Sequence, residues 1–255
     1  MNKDVTTLLK NSQVELFGAK CHLLTMRDTV DIIFRAINHQ HKITHSVVNV
    51  AKIVTMQKNA LLKKAVNTCD LINVDGMGLV WGGRLLGMAI PERVTGIDLM
   101  QALLKKAQEE KKRVFFLGAT QTTLKLMLEK LKKTFPHLLI AGSQHGYFTA
   151  SEESTVAHSI QAAKADILFV AMPSPQKELF IESYHTQIQV PFLMGVGGSF
   201  DVLAEKVKRA PSWMQKIGLE WFYRLYQEPK RMWKRYTVTN SIFLWMLLKS
   251  KWSAR

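Results

Sequence analysis

Residues 71–99 read LINVDGMGLVWGGRLLGMAIPERVTGIDL, and the fold turns on how this stretch divides. Leu71-Ile72-Asn73-Val74 is an apolar run of strand length that delivers Asp75 onto a glycine-containing turn, Gly76-Met77-Gly78. Apolar residues at helical spacing follow (Leu79, Val80, Leu85, Leu86), and a second turn, Pro91-Glu92-Arg93-Val94-Thr95-Gly96, leads to Asp98. Two acids, an arginine and several glycines therefore fall at the ends of elements. Open α/β sheets form their binding crevices there, beyond the strand C-termini. Asp-Gly is equally a common turn pair, so taken alone the stretch fits plain turn chemistry as well as a site.

Outward from this stretch, strand and helix patterns alternate. Residues 14–24 read as a β-type entry with a hairpin at Gly18, and residues 27–38 have helical period, with Thr25 or Asp28 as cap. Residues 44–50 form a β-branched strand, followed by one helix over 51–68. Downstream, a helix is expected over 96–111, a strand over 113–117, a basic amphipathic helix to Thr134, buried strands at 138–142 and 166–171 with a helix over 152–164 between them, and a last strand at 190–195. Such alternation predicts βαβ units. The expected fold is α/β and Rossmann-like, a largely parallel sheet with helices on both faces.

A chain of 255 residues that is 47% hydrophobic can build a sizeable core. Two cysteines, Cys21 and Cys69, make no disulfide framework and suit a reducing cytosol, with Cys69 expected as a small buried hydrophobe. The first eighteen residues lack the pattern of a secretory signal, and no apolar run reaches the ~18 residues of a spanning helix. The formal charge is +15, and residues 205–255 hold twelve Lys/Arg against three Asp/Glu. After Pro211 the character changes, for that segment carries five of the six tryptophans interleaved with basic residues. We therefore expect an α/β body over 1–210 and a basic, Trp-rich appendage of two or three short helices over 211–255, one of them opened by Pro229.

This appendage suits the headgroup layer of an anionic bilayer, where Trp sits at the interface, with 241–248 (SIFLWMLL) as an anchor. The same mixture could stack on single-stranded nucleic acid, or simply pack on the body with a solvated basic face. Glycine-rich turns at Gly118 and at 195–198 would let backbone N–H groups approach a diphosphate. Neither fits G-x-G-x-x-G with an acid about 20 residues on, which disfavours a dinucleotide oxidoreductase. The loop Met172-Pro173-Ser174-Pro175-Gln176-Lys177-Glu178 also reaches the C-terminal edge of the sheet. His39, His41 and His45 lack a carboxylate or thiol companion and are expected at the surface or in loops, and no D-x-D pair, G-x-S-x-G or Walker sequence is present. No metal and no cofactor are expected.

The pattern DGMGLVWGGRLLG…PERVTGIDL resembles the WecG/TagA/CpsF glycosyltransferases. Similar motifs extend from Asn49 to Lys234: Phe116-Leu117-Gly118-Ala119, the Ser174–Glu178 loop, 195–201 (GVGGSFD), Arg209-Ala210-Pro211, Gly218-Leu219-Glu220-Trp221, Arg224-Leu225 and Glu228-Pro229-Lys230-Arg231. The resemblance implies an inverting, metal-independent hexosyltransferase that takes its sugar from a UDP-sugar. The acceptor would be a polyprenyl-diphosphate-linked saccharide of a surface polysaccharide or wall polymer, at the inner face of the cytoplasmic membrane. It implies Asp75 as general base, Asn49 as a sugar contact and Arg93 as a pocket residue. Thr95, Asp98, Gln176, Glu178, Gly197 and Asp201 would complete the substrate pocket, and Arg224, Arg231 and Lys234 would reach over it to the diphosphates. This chain departs from the family in three places. Val47 stands where a threonine is common, the usual Pro-Lys-Gln-Glu is Pro175-Gln176-Lys177-Glu178, and Lys234 replaces an arginine. The second departure leaves open which of Gln176 and Lys177 fills the glutamine's role. The rival reading is a non-catalytic nucleic-acid-binding protein using the basic aromatic tail. The Met-rich, apolar body also leaves room for a homo-oligomer interface.

Overall fold

The structure is a computed structural model and describes residues 3–253. A helix α1 (Lys3–Ser12) and an antiparallel hairpin, β1 (Gln13–Leu16) and β2 (Ala19–His22), lead into α2 (Met26–Asn38). Thr25 caps α2 reciprocally with Asp28, which satisfies two of the backbone donors that a helix start leaves open. The main sheet comprises β3 (Ile43–Val48), β4 (Leu71–Val74), β5 (Arg113–Gly118), β6 (Leu139–Gln144), β7 (Ile167–Ala171) and β8 (Phe192–Gly195). Its order is β4-β3-β8-β7-β5-β6, and every neighbouring pair is parallel. The crossovers are α3 (Val50–Met56) with α4 (Ala60–Asn67), α5 (Met77–Leu85) with α6 (Gly96–Glu109), α7 (Gln121–Thr134), α8 (Glu153–Ala162) and α9 (Gln176–Ile188). After β8 come α10 (Ser199–Leu203), α11 (Ser212–Lys216), α12 (Glu220–Gln227) and α13 (Pro229–Ser253).

Side chains alternate between the two faces of each strand, and both faces are covered. On one, Ile43, Leu71, Phe116, Phe169 and Phe192 pack against residues of α2, α6 and α7 such as Phe34, Leu103 and Met127. On the other, Val48, Ile72 and Val74 meet α3, α5, the hairpin and Phe243 and Leu247 of α13, while Leu117, Leu168 and Val170 meet Ile160 of α8 and Phe180 and Ile181 of α9. The sheet is the α/β, Rossmann-like arrangement expected.

Several local expectations change. The single helix over 51–68 is two, because the Asn59 side chain accepts from Leu62 N at 2.9 Å and starts α4 afresh. The strand near 138–142 is not buried: β6 is an edge strand whose residues are half-buried or exposed. His45 is a β3 residue, 1% exposed, not a loop or surface residue. Its Nε2 lies 2.9 Å from Asn73 Oδ1, Asn73 Nδ2 donates to Thr29 Oγ1 at 3.0 Å, and burial pushes the imidazole down to about 4, so it is neutral. Cys69 is half-buried rather than buried. The tail contains one long helix, α13, of 25 residues after two short ones. Pro229 opens α13, and Glu228 before it is held extended enough to end α12 (φ −131°, ψ 61°). The helix α1, with Val5 and Leu9 buried against the core, carries no strong sequence signal beyond their i, i+4 spacing.

Candidate active site

The C-terminal edge of the sheet gathers the turns that the sequence singles out. β3 runs into Asn49, whose side-chain oxygen caps α3 by accepting from Lys52 N at 2.9 Å. β4 beside it runs into Asp75, whose N–H donates to Val48 O at 2.7 Å. Gly76, next in the chain, has φ +111° and approaches Asn49, a conformation that any side chain would strain. Val94 N donates to Val74 O at 3.0 Å and folds the 91–95 loop across the tip of β4. Arg93, Thr95 and Asp98 thereby join Asp75. Val47 lies under Gly96, so an apolar contact occupies the position where the family often has a hydroxyl.

Asp75 keeps some solvent contact but is enclosed by protein on most sides. Burial raises its proton affinity above the ordinary carboxylate range, and the Glu220 charge adds to the rise. The cations Arg93 and Arg224, with the Gly96 N–H, offset part of it. The carboxyl is thus poised to take up a proton more readily than a solvated aspartate.

Around Asp75, acids and arginines alternate. Arg93 Nη1 lies 3.3 Å from Glu220 Oε2, and Glu220 Oε1 lies 3.6 Å from Arg209 Nε and 3.7 Å from Arg224 Nη2. Arg209 grips Asp98 with both terminal nitrogens, Nη2 at 2.7 Å from Oδ2. Thr95 caps α6 and donates to Asp98 Oδ2 at 2.5 Å. Burial alone would raise Asp98, but Arg209 and Thr95 outweigh it and hold the carboxyl below its usual range. Arg209 and Glu220 belong to this cluster although the sequence reading names them only within motifs. The signal available was their company, since Arg209-Ala210-Pro211 and Gly218-Leu219-Glu220-Trp221 lie in the same segment as Arg224.

The other expected residues spread along the same edge. Gly197, at φ +54°, forms an open turn after β8. Asp201, in the first turn of α10, accepts from Thr123 Oγ1 of α7 at 3.4 Å. Gln176 is exposed at the start of α9, whereas Lys177 turns inward. Glu178 does not join the arginine cluster. Its carboxylate, 3% exposed, has Lys52 and Lys177 at 2.8 and 2.7 Å. Burial would raise Glu178, yet the two ammonium charges prevail and pull it down to about 2. Arg231 and Lys234 have backbone in α13, but their side chains lie outside the described residues. A depression of about 740 Å³ lined by His158, Asp166, Gln189 and Pro191 opens at the opposite edge, ahead of β7 and β8, away from this chemistry. Among the described residues, no group of three or more His, Cys, Asp or Glu could hold a metal ion.

Comparison with known proteins shows the family of the chain. The profile of the family described as "Glycosyl transferase WecG/TagA/CpsF family" matches residues 14–255. The chain belongs to the WecG/TagA/CpsF glycosyltransferase family. Two relatives carry the name N-acetylglucosaminyldiphosphoundecaprenol N-acetyl-beta-D-mannosaminyltransferase. The one from Bacillus spizizenii is 39% identical over 178 residues, 70% of this chain and 68% of the relative. The one from Bacillus subtilis is 38% identical over 186 residues, 73% and 72% of the two chains. A WecG/TagA/CpsF enzyme is a glycosyltransferase, so the non-catalytic nucleic-acid reading of the tail gives way. None of the described helices is long and apolar enough to cross a membrane.

Proposed function

We propose that this glycosyltransferase moves N-acetylmannosamine from its UDP conjugate to N-acetylglucosaminyl-diphosphopolyprenol, with inversion at the anomeric carbon and no metal ion. The names of the two relatives support the acceptor and the sugar. The observation that carries the chemistry is Asp75, a partly buried carboxylate of raised proton affinity at the tip of β4, with Arg93 and Arg224 close enough to act on it. In this reading Asp75 takes the proton from the acceptor hydroxyl as the oxygen attacks the anomeric carbon and the bond to UDP breaks. A base is most effective when its pKa approaches the working pH, and burial moves Asp75 in that direction. Asn49 holds the sugar end, and Arg93 lines the pocket beside Glu220. Arg224, Arg231 and Lys234 meet the charge that develops on the departing diphosphate, the task of fixed donors in any such displacement. Lys234 would do so as a point charge, without an arginine's fork.

The lipid acceptor sets where the enzyme works. Trp213, Trp233, Trp245 and Trp252 are exposed on α11 and α13 among basic residues. Such a surface fits an anionic leaflet, each Lys or Arg adding roughly 1 kcal/mol there. We place the protein as a peripheral enzyme on the inner face of the cytoplasmic membrane.

The test is a donor panel of UDP-N-acetylmannosamine, UDP-N-acetylglucosamine and UDP-glucose, offered with the diphospholipid acceptor in anionic vesicles. Product formation is expected from the first donor alone, as a β-linked disaccharide, and unchanged by EDTA. Preference for another donor, an α-linkage or loss of turnover with EDTA would contradict the corresponding part of the proposal.

A further inference from the structure

Glu220 sits where an anion is wanted. Three arginines from separate parts of the chain (Arg93 after α5, Arg209 before α11, Arg224 in α12) converge on its carboxylate within 3.3–3.7 Å. Without a counter-charge three guanidinium groups would repel one another, so the carboxylate is what holds them in one place. With Asp75 and Asp98 included, three acids face three arginines, and the cluster is formally neutral when empty. A donor's diphosphate brings two negative charges. It can collect those arginines only if one carboxylate gives them up.

The geometry says which one. Asp98 is held at 2.5–2.7 Å by a two-pronged arginine and by the Thr95 hydroxyl that caps its own helix. The contacts of Glu220 are all longer than the ~2.7–2.9 Å of strong charge-assisted hydrogen bonds. It stands at the first position of an eight-residue helix, with a side chain 13% exposed, beside an Arg224 that is 49% exposed. Glu220 is therefore the acid that can turn away at least cost. Because it also raises the proton affinity of Asp75, an incoming diphosphate would take over that electrostatic effect as it takes over the arginines.

Building on the UDP-donor assignment above, we propose that Glu220 is a placeholder for the donor's diphosphate, holding Arg93, Arg209 and Arg224 in readiness and leaving them when the donor enters. The experiment is calorimetric titration of the full chain and of Glu220→Gln with UDP, inorganic pyrophosphate and uridine at fixed ionic strength. With its competitor neutralised, the variant is expected to bind UDP and pyrophosphate about three- to tenfold more tightly, a difference of up to one decade in Kd, while uridine affinity stays as it was. Glu220→Asp, which withdraws the charge by one methylene, is expected to fall between the two, and it serves as the readout if Glu220→Gln does not fold. UDP binding that is unchanged or weaker in the folded variant would overturn the placeholder and make Glu220 a fixed support for the arginines. An equal gain for uridine would overturn it too. If the unmutated chain bound no UDP, the donor assignment would fall and the placeholder with it. UDP binding by the unmutated chain without a gain in the variants removes the placeholder alone.

Discussion

Asp75 and Glu178 are acids on the same side of one sheet, and their surroundings drive them in opposite directions. Asp75 is raised by burial and by Glu220, with the arginines offsetting part of the rise. Its charged form is disfavoured in the empty site, so kcat/KM should have an acid limb governed by a group whose pKa lies above the ~3.9 of a free aspartate. Activity falls as pH drops through that value, because a protonated Asp75 cannot accept the acceptor's proton. A pH profile of kcat/KM measured with the lipid acceptor well below its KM checks this, and an acid limb at or below the free aspartate value would contradict it. Glu178 is instead held down to about 2 by Lys52 and Lys177. A depressed carboxylate contributes stability above its unfolded pKa of about 4.3 and loses it as pH falls towards the folded value. Glu178 should therefore contribute to acid unfolding between about pH 4.5 and 2. Replacing it by Gln removes the carboxylate that two largely buried ammonium groups share, which should cost about 3–5 kcal/mol in a urea titration at neutral pH. A cost under about 1 kcal/mol would mean that the three charges are solvated in solution.

At the scale of elements, the tail is joined to the body by an apolar notch as well as by the arginine cluster. Gly82 on α5 leaves a bare patch in which a Cβ would come within 2.8 Å of Phe243 Cζ of α13, and Phe17 of the β1–β2 turn meets the same ring edge-on at 5.4 Å. Phe243 and Leu247 are buried, while Leu244, Trp245 and Leu248 on the next faces are exposed. The stretch 241–248 thus divides its apolar residues between body and surface. Cutting Phe243 to Ala should cost about 3–5 kcal/mol of docking. Limited proteolysis would then cut within 229–253 faster than in the unmutated chain while the 1–210 core persists. Equal cleavage would show that the notch does not hold α13. The sequence does not announce this contact, because Phe243 reads as part of a lipid anchor and nothing local pairs it with Gly82. Likewise the Asn59 cap that divides the helix over 51–68 is legible in hindsight as an N-cap residue, but the uninterrupted apolar period around it masks it.

For the whole molecule, the parallel sheet was legible because several of its strands are short apolar runs ending in glycine or acid, as at Phe116–Gly118 and Val74–Asp75. The order β4-β3-β8-β7-β5-β6 was not, since nothing local says that β8 inserts between β3 and β7. Long-range placement also explains the unevenness at the site. Asp75, Arg93, Thr95 and Asp98 lie in one stretch and were found together. The partners that complete the cluster, Arg209 and Glu220, arrive from more than a hundred residues away. Gln176 and Lys177 alternate about the start of α9, so one side chain turns outward and the other inward, a choice that composition cannot reveal.

The central claim is that Asp75 is the base. Its most direct measurement is UDP release by Asp75→Asn with UDP-N-acetylmannosamine and the diphospholipid acceptor, read beside UDP affinity and melting temperature. The account predicts a loss of about 10²–10⁴-fold in kcat, UDP affinity within about threefold of the unmutated chain, and a melting temperature no lower, because an amide at that position spares the burial of a charge. Turnover within tenfold of the unmutated enzyme would contradict it.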